Sequence, residues 1–155
     1  MKIIKKALGT LKKYEFITVA TADKSAKPHC APKLLLKIDN GIIYFIDFSI
    51  GKTIENLRVN PEASLSFIDA ASRFGYRLNG SVEIIDKGKI YDESLKELHE
   101  KEIELFAERV VRGVQDGKAH KDFESEIPES FLVYKIKVEE GCEINPRGEI
   151  KREIG

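Results

Sequence analysis

The chain has few cysteines, no net charge and no long apolar run, and each shortage removes a class of protein. Cys30 and Cys142 stand far apart, with no second cysteine or histidine at metal-ligand spacing. That argues against a zinc site or a disulfide framework and for two reduced thiols. Lys+Arg and Asp+Glu each number 26, so coating of nucleic acid by bulk electrostatics is not expected. No apolar run approaches the roughly 18 residues of a membrane span. Met1 to Lys6 also lacks the apolar segment of a signal peptide. A cytoplasmic protein with no nucleic-acid or membrane partner is the expectation. Neither an internal repeat nor a low-complexity linker divides the sequence, so residues 1–155 read as one domain.

What is present suffices for a core. With 155 residues, 42% of them apolar, the chain can bury roughly 70% of its unfolded surface without a covalent staple. The neutral total hides an asymmetry. Residues 1–60 carry 11 Lys+Arg against 5 Asp+Glu, and residues 61–155 carry 15 against 21. An anionic ligand is therefore expected on the first part, although a long solvated acidic helix in the second part accounts for the imbalance equally well.

Periodicity divides the chain into elements. Ile3, Ile4, Ala7, Leu8 and Leu11 fall at helical spacing. A β-branched strand over 16–21 turns at 23–28 into a partner over 29–38. Period two places Cys30, Pro32, Leu34, Leu36 and Ile38 on one face, and Ala31, Lys33, Leu35 and Lys37 on the other. Asp39-Asn40-Gly41 supplies a tight turn into a strand over 42–48, and a short helix ends before Asn60-Pro61. Strands follow over 63–68 and 76–85, the latter expected to be the longest. A surface helix over 90–114 lays Tyr91, Leu95, Leu98, Ile103, Phe106 and Val110 along its apolar face. A loop to Pro128 leads to a sixth strand over 131–138 and a charged tail. This order lacks βαβ alternation, so it predicts a mostly antiparallel barrel with flanking helices. A barrel of five or six strands is expected to close poorly and to pair with a second copy, through residues near 63–85.

Chemistry-bearing residues are sparse. Ser49-Ile50-Gly51-Lys52-Thr53 lies at a strand-to-helix junction, where free N–H groups, a glycine and a lysine suit a phosphate. A capping serine and a solvated lysine explain the same residues. His29, His99 and His120 have no nucleophile beside them except Cys30, which an adjacent strand position points to the opposite face. Cys30 reads as a small buried apolar residue. Glu100, Glu102 and Glu104 read as a solvated helix face. Arg73 and Arg77 are the cations that could meet an anionic substrate.

Taken in order, several segments resemble the FMN-binding split-barrel family related to pyridoxamine 5′-phosphate oxidase. They are Phe16-Ile-Thr-Val-Ala-Thr21, Lys27-Pro-His-Cys-Ala-Pro32, Asn40-Gly-Ile-Ile-Tyr-Phe45, Gly51-Lys-Thr53, Asn56-Leu-Arg58, Asn60-Pro61 and Tyr76-Arg-Leu-Asn-Gly-Ser-Val-Glu83. The resemblance spans residues 5–86 and implies an antiparallel split barrel, a homodimer and an FMN site at the subunit interface. By similarity, the main chain of Ala31, Pro32, Lys33 and Leu34 would edge the isoalloxazine ring. Phe45 and Ile46 would line the next strand, and Ser49, Lys52 and Thr53 would hold the phosphate. Gly51 stands where many relatives carry arginine, and the Arg-x-His substrate motif of the true oxidases is missing. The activity implied is thus an FMN-dependent oxidoreductase with an unassigned small-molecule substrate or electron donor. A non-enzymatic FMN protein for electron transfer or storage, or a heme or deazaflavin binder on the same fold, are the alternatives.

Overall fold

A computed structural model describes residues 2–48, 50–115 and 130–155. Helix α1 (Lys2–Leu11) opens the chain, followed by β1 (Phe16–Ala22), β2 (Pro28–Asp39) and β3 (Ile42–Asp47). Then come α2 (Lys52–Val59), β4 (Glu62–Asp69), β5 (Phe74–Ile85), α3 (Lys89–Gln115), β6 (Leu132–Ile144) and β7 (Ile150–Ile154). The strands form one sheet in the order β3-β2-β1-β4-β5-β6-β7, and β3 also pairs with β6. All pairings are antiparallel. Six strands therefore close into a barrel, contrary to the expectation of poor closure. The reason is the length of β6, whose first half serves β3 and β5 together through pairs such as Ile43↔Ile136 and Val82↔Ile136.

Two apolar layers result. Ile17, Val19, Leu35, Ile43, Phe45, Leu65, Tyr76, Leu78, Tyr134 and Ile136 fill the barrel. Leu34, Leu36, Tyr44, Ile46, Ile85, Phe131 and Val133 form an outer layer with Leu98 of α3. β2 and β3 are thus covered on both faces, which is why their sequences run Leu-Leu-Leu and Ile-Ile-Tyr-Phe-Ile instead of alternating with polar residues.

The β2–β3 turn follows its sequence. Asn40 and Gly41 have φ of 48° and 82°, the paired positive values of a type I′ hairpin, which glycine adopts without strain. Gly80 has a different cause. A Cβ there would lie 2.0 Å from the Lys137 carbonyl oxygen, at a register shift between Asn79 and Gly80 where β5 and β6 press together.

Several boundaries differ from the sequence reading. β6 runs to Ile144 and, with 13 residues, exceeds β5 with 12. The charged tail is a seventh strand, turned back by Asn145, whose side-chain oxygen accepts the N–H groups of Arg147 and Glu149. A bulge between Leu35 and Lys37 reverses the faces beyond it. Ile38 therefore packs on the barrel interior, and Lys37 lies outside, over the Tyr44 ring. Ile103 is 69% exposed, because five residues after Leu98 carry it about 140° around the helix. The loop expected up to Pro128 lies mostly outside the described residues.

Candidate functional site

The barrel is split between β2 and β3. Their pairing ends at Leu34↔Ile46, but β2 continues to Pro28 against β1 alone. The Leu35 N–H donates to the Glu15 carbonyl at 2.8 Å, so odd-numbered residues of this part of β2 direct their main chain to β1. The even-numbered ones face the other way. Beyond the split, the N–H of Cys30 and the carbonyls of Cys30 and Pro32 face a side with no pairing strand among the described residues. Pro32 suits such an edge because it has no N–H to leave unpaired. Pro32 and Cys30 are exposed, and Ala31 and His29 are half-buried. The expectation that Cys30 is buried is therefore wrong, since its strand extends past the layer that would cover it.

At the vertex of the split, charge is buried. Lys33 Nζ donates to Asp47 Oδ1 at 2.6 Å, with side-chain exposures of 3% and 0%. The Tyr134 hydroxyl donates to Asp47 Oδ2 at 2.7 Å. Each carboxylate oxygen thus has a donor, as a buried anion requires. Burial, reinforced by the hydrogen bond to Asp47, holds the Tyr134 hydroxyl far above the ordinary phenol range, so it stays protonated. The network fixes where β2 and β3 part.

Helix α2 starts beside the same end of the barrel. Asn56 Nδ2 donates to Thr21 Oγ1 at 3.1 Å, and Asn60 Nδ2 donates to the Ala22 carbonyl at 3.4 Å. These bonds tie the helix to the last residues of β1. Gly51 is the N-cap and offers no side chain to the first turn, so its N–H groups lack the usual capping oxygen. Lys52 is 47% exposed and lies 3.3 Å from Glu55. Across from it, Asp23 Oδ1 accepts the Lys27 and Ser25 N–H groups at the β1–β2 turn. Those bonds, the Lys27 one foremost, hold the Asp23 carboxyl below its usual range, with the nearby Lys52 ammonium assisting.

The structure places the candidate residues in distinct roles. Ala31 and Pro32 lie on the open edge. Lys33 turns its ammonium inward, and Leu34 and Ile46 belong to the outer apolar layer. Phe45 is buried in the barrel, so this group presents main chain, not side chains, at the split. Thr53 is 2% exposed, beneath Lys52, and Ser49 lies outside the described residues. His99 is exposed on α3, whereas His120 also lies outside the described residues. Asp47 and Tyr134 escaped the sequence reading, while Thr21 and Asn56 entered it only inside the family-like segments, without their mutual hydrogen bond. The charge of Asp47, ending the apolar run 42–46, was the one signal available. Asn56 Oδ1 is buried without a hydrogen-bond partner.

The family model described as Pyridoxamine 5′-phosphate oxidase matches residues 3–144. The chain belongs to this family. Among solved structures, it is similar to a protein related to general stress protein 26 from Clostridium acetobutylicum. That match has TM-score 0.64 and 14% identity, covering 99% of this chain and 94% of that one. A pyridoxamine 5′-phosphate oxidase-related, FMN binding protein from Nostoc punctiforme gives 0.56 and 12%, covering 98% and 94%. A heme binding protein from Mycobacterium smegmatis gives 0.62 and 15%, covering 98% of this chain and 57% of that one. Comparison with curated proteins gives no match. At these identities the likeness establishes the shared split barrel, while the ligands of the neighbours differ.

Proposed function

We propose that this family member binds FMN at the split and acts as an FMN-dependent oxidoreductase on a small-molecule substrate or electron donor. One juxtaposition carries the reading: an unpaired main-chain edge at Cys30–Pro32 beside an uncapped helix start bearing Lys52. Free N–H and carbonyl groups suit the polar edge of an isoalloxazine ring. The helix start, with its partial positive charge, and the Lys52 ammonium suit a phosphate. Asp47 does not oppose an anion there, because Lys33 and Tyr134 occupy its oxygens. Ala31, Pro32, Lys33 and Leu34 would hold the ring through main chain, with Phe45 and Ile46 behind the β3 side. Lys52, with Ser49 and Thr53, would hold the phosphate. Bound FMN supplies hydride or electron transfer, and the chain supplies binding and orientation.

The second reading is heme, favoured by His29, which is half-buried on the strand that borders the split. Absorption of the reconstituted protein separates the two. Flavin bands retained through gel filtration support FMN, a Soret band on hemin addition without flavin retention supports heme, and retention of neither removes both. Oxidation of NAD(P)H by the FMN-loaded protein distinguishes an enzyme from an electron-transfer or storage protein. Self-association also belongs to this reading, because Phe16 and Ile68 expose apolar side chains on β1 and β4. Light scattering showing a monomer that retains FMN would remove the shared-interface form of the site.

A further inference from the structure

A second cavity lies at the other end of β2, away from the split. Helix α1 packs on β5, β6 and β7, so the β2–β3 hairpin stands off from it and leaves a space of about 780 Å³. This is within the roughly 300–1,000 Å³ of small-molecule sites. Ile4 and Leu8 of α1 face Ile38 and Ile42 of the hairpin across it, with Val138 of β6 alongside. The charged side chains that line it are Lys5, Lys12 and Lys137, alongside the main chain of Gly155, the last residue. Some lysines elsewhere are paired, as in Lys6–Glu143, Lys37–Glu97 and Lys135–Glu83, whereas others such as Lys24 and Lys96 have no such partner among the described residues. Lys5, Lys12 and Lys137 have no ion-pair partner among the described residues.

Gly9 supplies an independent observation. Lys5, Leu8, Gly9 and Lys12 line the cavity at the spacing of one helix face. Glycine weakens a helix interior, yet no fold contact requires it here, since a Cβ at Gly9 would meet nothing within 4 Å. Its missing side chain leaves the helix side of the cavity open.

We propose that this cavity binds an amphipathic carboxylate, with its alkyl chain among Ile4, Leu8, Ile38, Ile42 and Val138 and its carboxylate among the three unpaired lysines. Apolar walls give the affinity, and the three lysines favour an anionic head group. The site is separate from the split, so its test does not depend on flavin.

Isothermal titration with dodecanoate below its micellar range tests the proposal, with dodecyltrimethylammonium and 1-dodecanol as comparison ligands. Saturable one-to-one binding of dodecanoate is expected, about tenfold or more tighter than either comparison ligand. Gly9→Leu should abolish this binding while leaving circular dichroism and the melting temperature unchanged or higher, because leucine fills the space and favours helix. The triple variant Lys5→Ala, Lys12→Ala, Lys137→Ala should weaken dodecanoate about three- to tenfold and leave 1-dodecanol unchanged. Absence of saturable binding, equal binding by folded Gly9→Leu, or equal affinity for 1-dodecanol or the cationic amphiphile would overturn it.

Discussion

Two lysines on either side of the same site show how burial divides labour between like residues. Lys33 and Asp47 are almost wholly inaccessible and 2.6 Å apart, with a third member, Tyr134, on the other carboxylate oxygen. Lys52 and Glu55 are half-exposed and 3.3 Å apart within one turn of a helix. A buried pair cannot release its cation without stranding its anion, so Lys33 serves the shape of the fork. An exposed pair exchanges partners at little cost, so Lys52 remains available to a ligand. The closed side of the barrel sharpens the contrast. There β5 and β6 pair from end to end, leaving no main-chain edge, whereas β2 outruns β3 and exposes one.

Breaking the buried side should have the largest effect. Lys33→Met removes the buried cation from Asp47, which keeps the Tyr134 hydroxyl, and should cost about 3–5 kcal/mol. At roughly 2–4 °C per kcal/mol for a chain of this size, the melting temperature falls by about 6–20 °C. Tyr134→Phe removes one donor from the buried carboxylate and should cost about 1.5–3 kcal/mol in urea unfolding. A loss below about 0.5 kcal/mol would mean that water replaces the hydroxyl. Lys52→Met should change stability by under about 1 kcal/mol in the same assay. A loss comparable to that of Lys33→Met would erase the distinction between the two lysines.

The smallest effect concerns pH. Asp23 has its folded-state pKa lowered by the Lys27 and Ser25 N–H groups. Its contribution is therefore present above the ordinary carboxylate pKa and is lost as pH falls through the lower folded value. Asp23→Ala should lower the neutral plateau slightly and flatten this part of the acid limb, so that the two proteins converge at strongly acidic pH, read by thermal melts from neutral to strongly acidic pH. An unaltered acid limb would show that the turn does not depend on the charge.

The outline of this site was legible where local chemistry dictates backbone. Asn40-Gly41 specifies its turn, Asn60-Pro61 ends α2, and the family resemblance followed from the order of such segments. Pairing across the barrel was not legible. Nothing local marks Leu36 as the bulge that moves Lys37 to the outside, and nothing near Cys30 reveals that β3 stops short of it. Lys33 reads as a surface cation until Asp47 and Tyr134 arrive from other strands. β7 was missed because its sequence, Ile-Lys-Arg-Glu-Ile, pairs on one edge only and has little apolar content to announce a strand.

The central claim, that Lys52 at the start of α2 is the phosphate ligand of a flavin held at the split, is tested most directly with two ligands and two proteins. FMN and riboflavin are titrated by flavin fluorescence against the wild type and Lys52→Ala. A charge-assisted hydrogen bond contributes roughly 1.5–3 kcal/mol. FMN should therefore weaken about tenfold to hundredfold in the variant, while riboflavin, which has no phosphate, changes less than about threefold. Equal losses for both ligands, or no loss for FMN, would contradict the account.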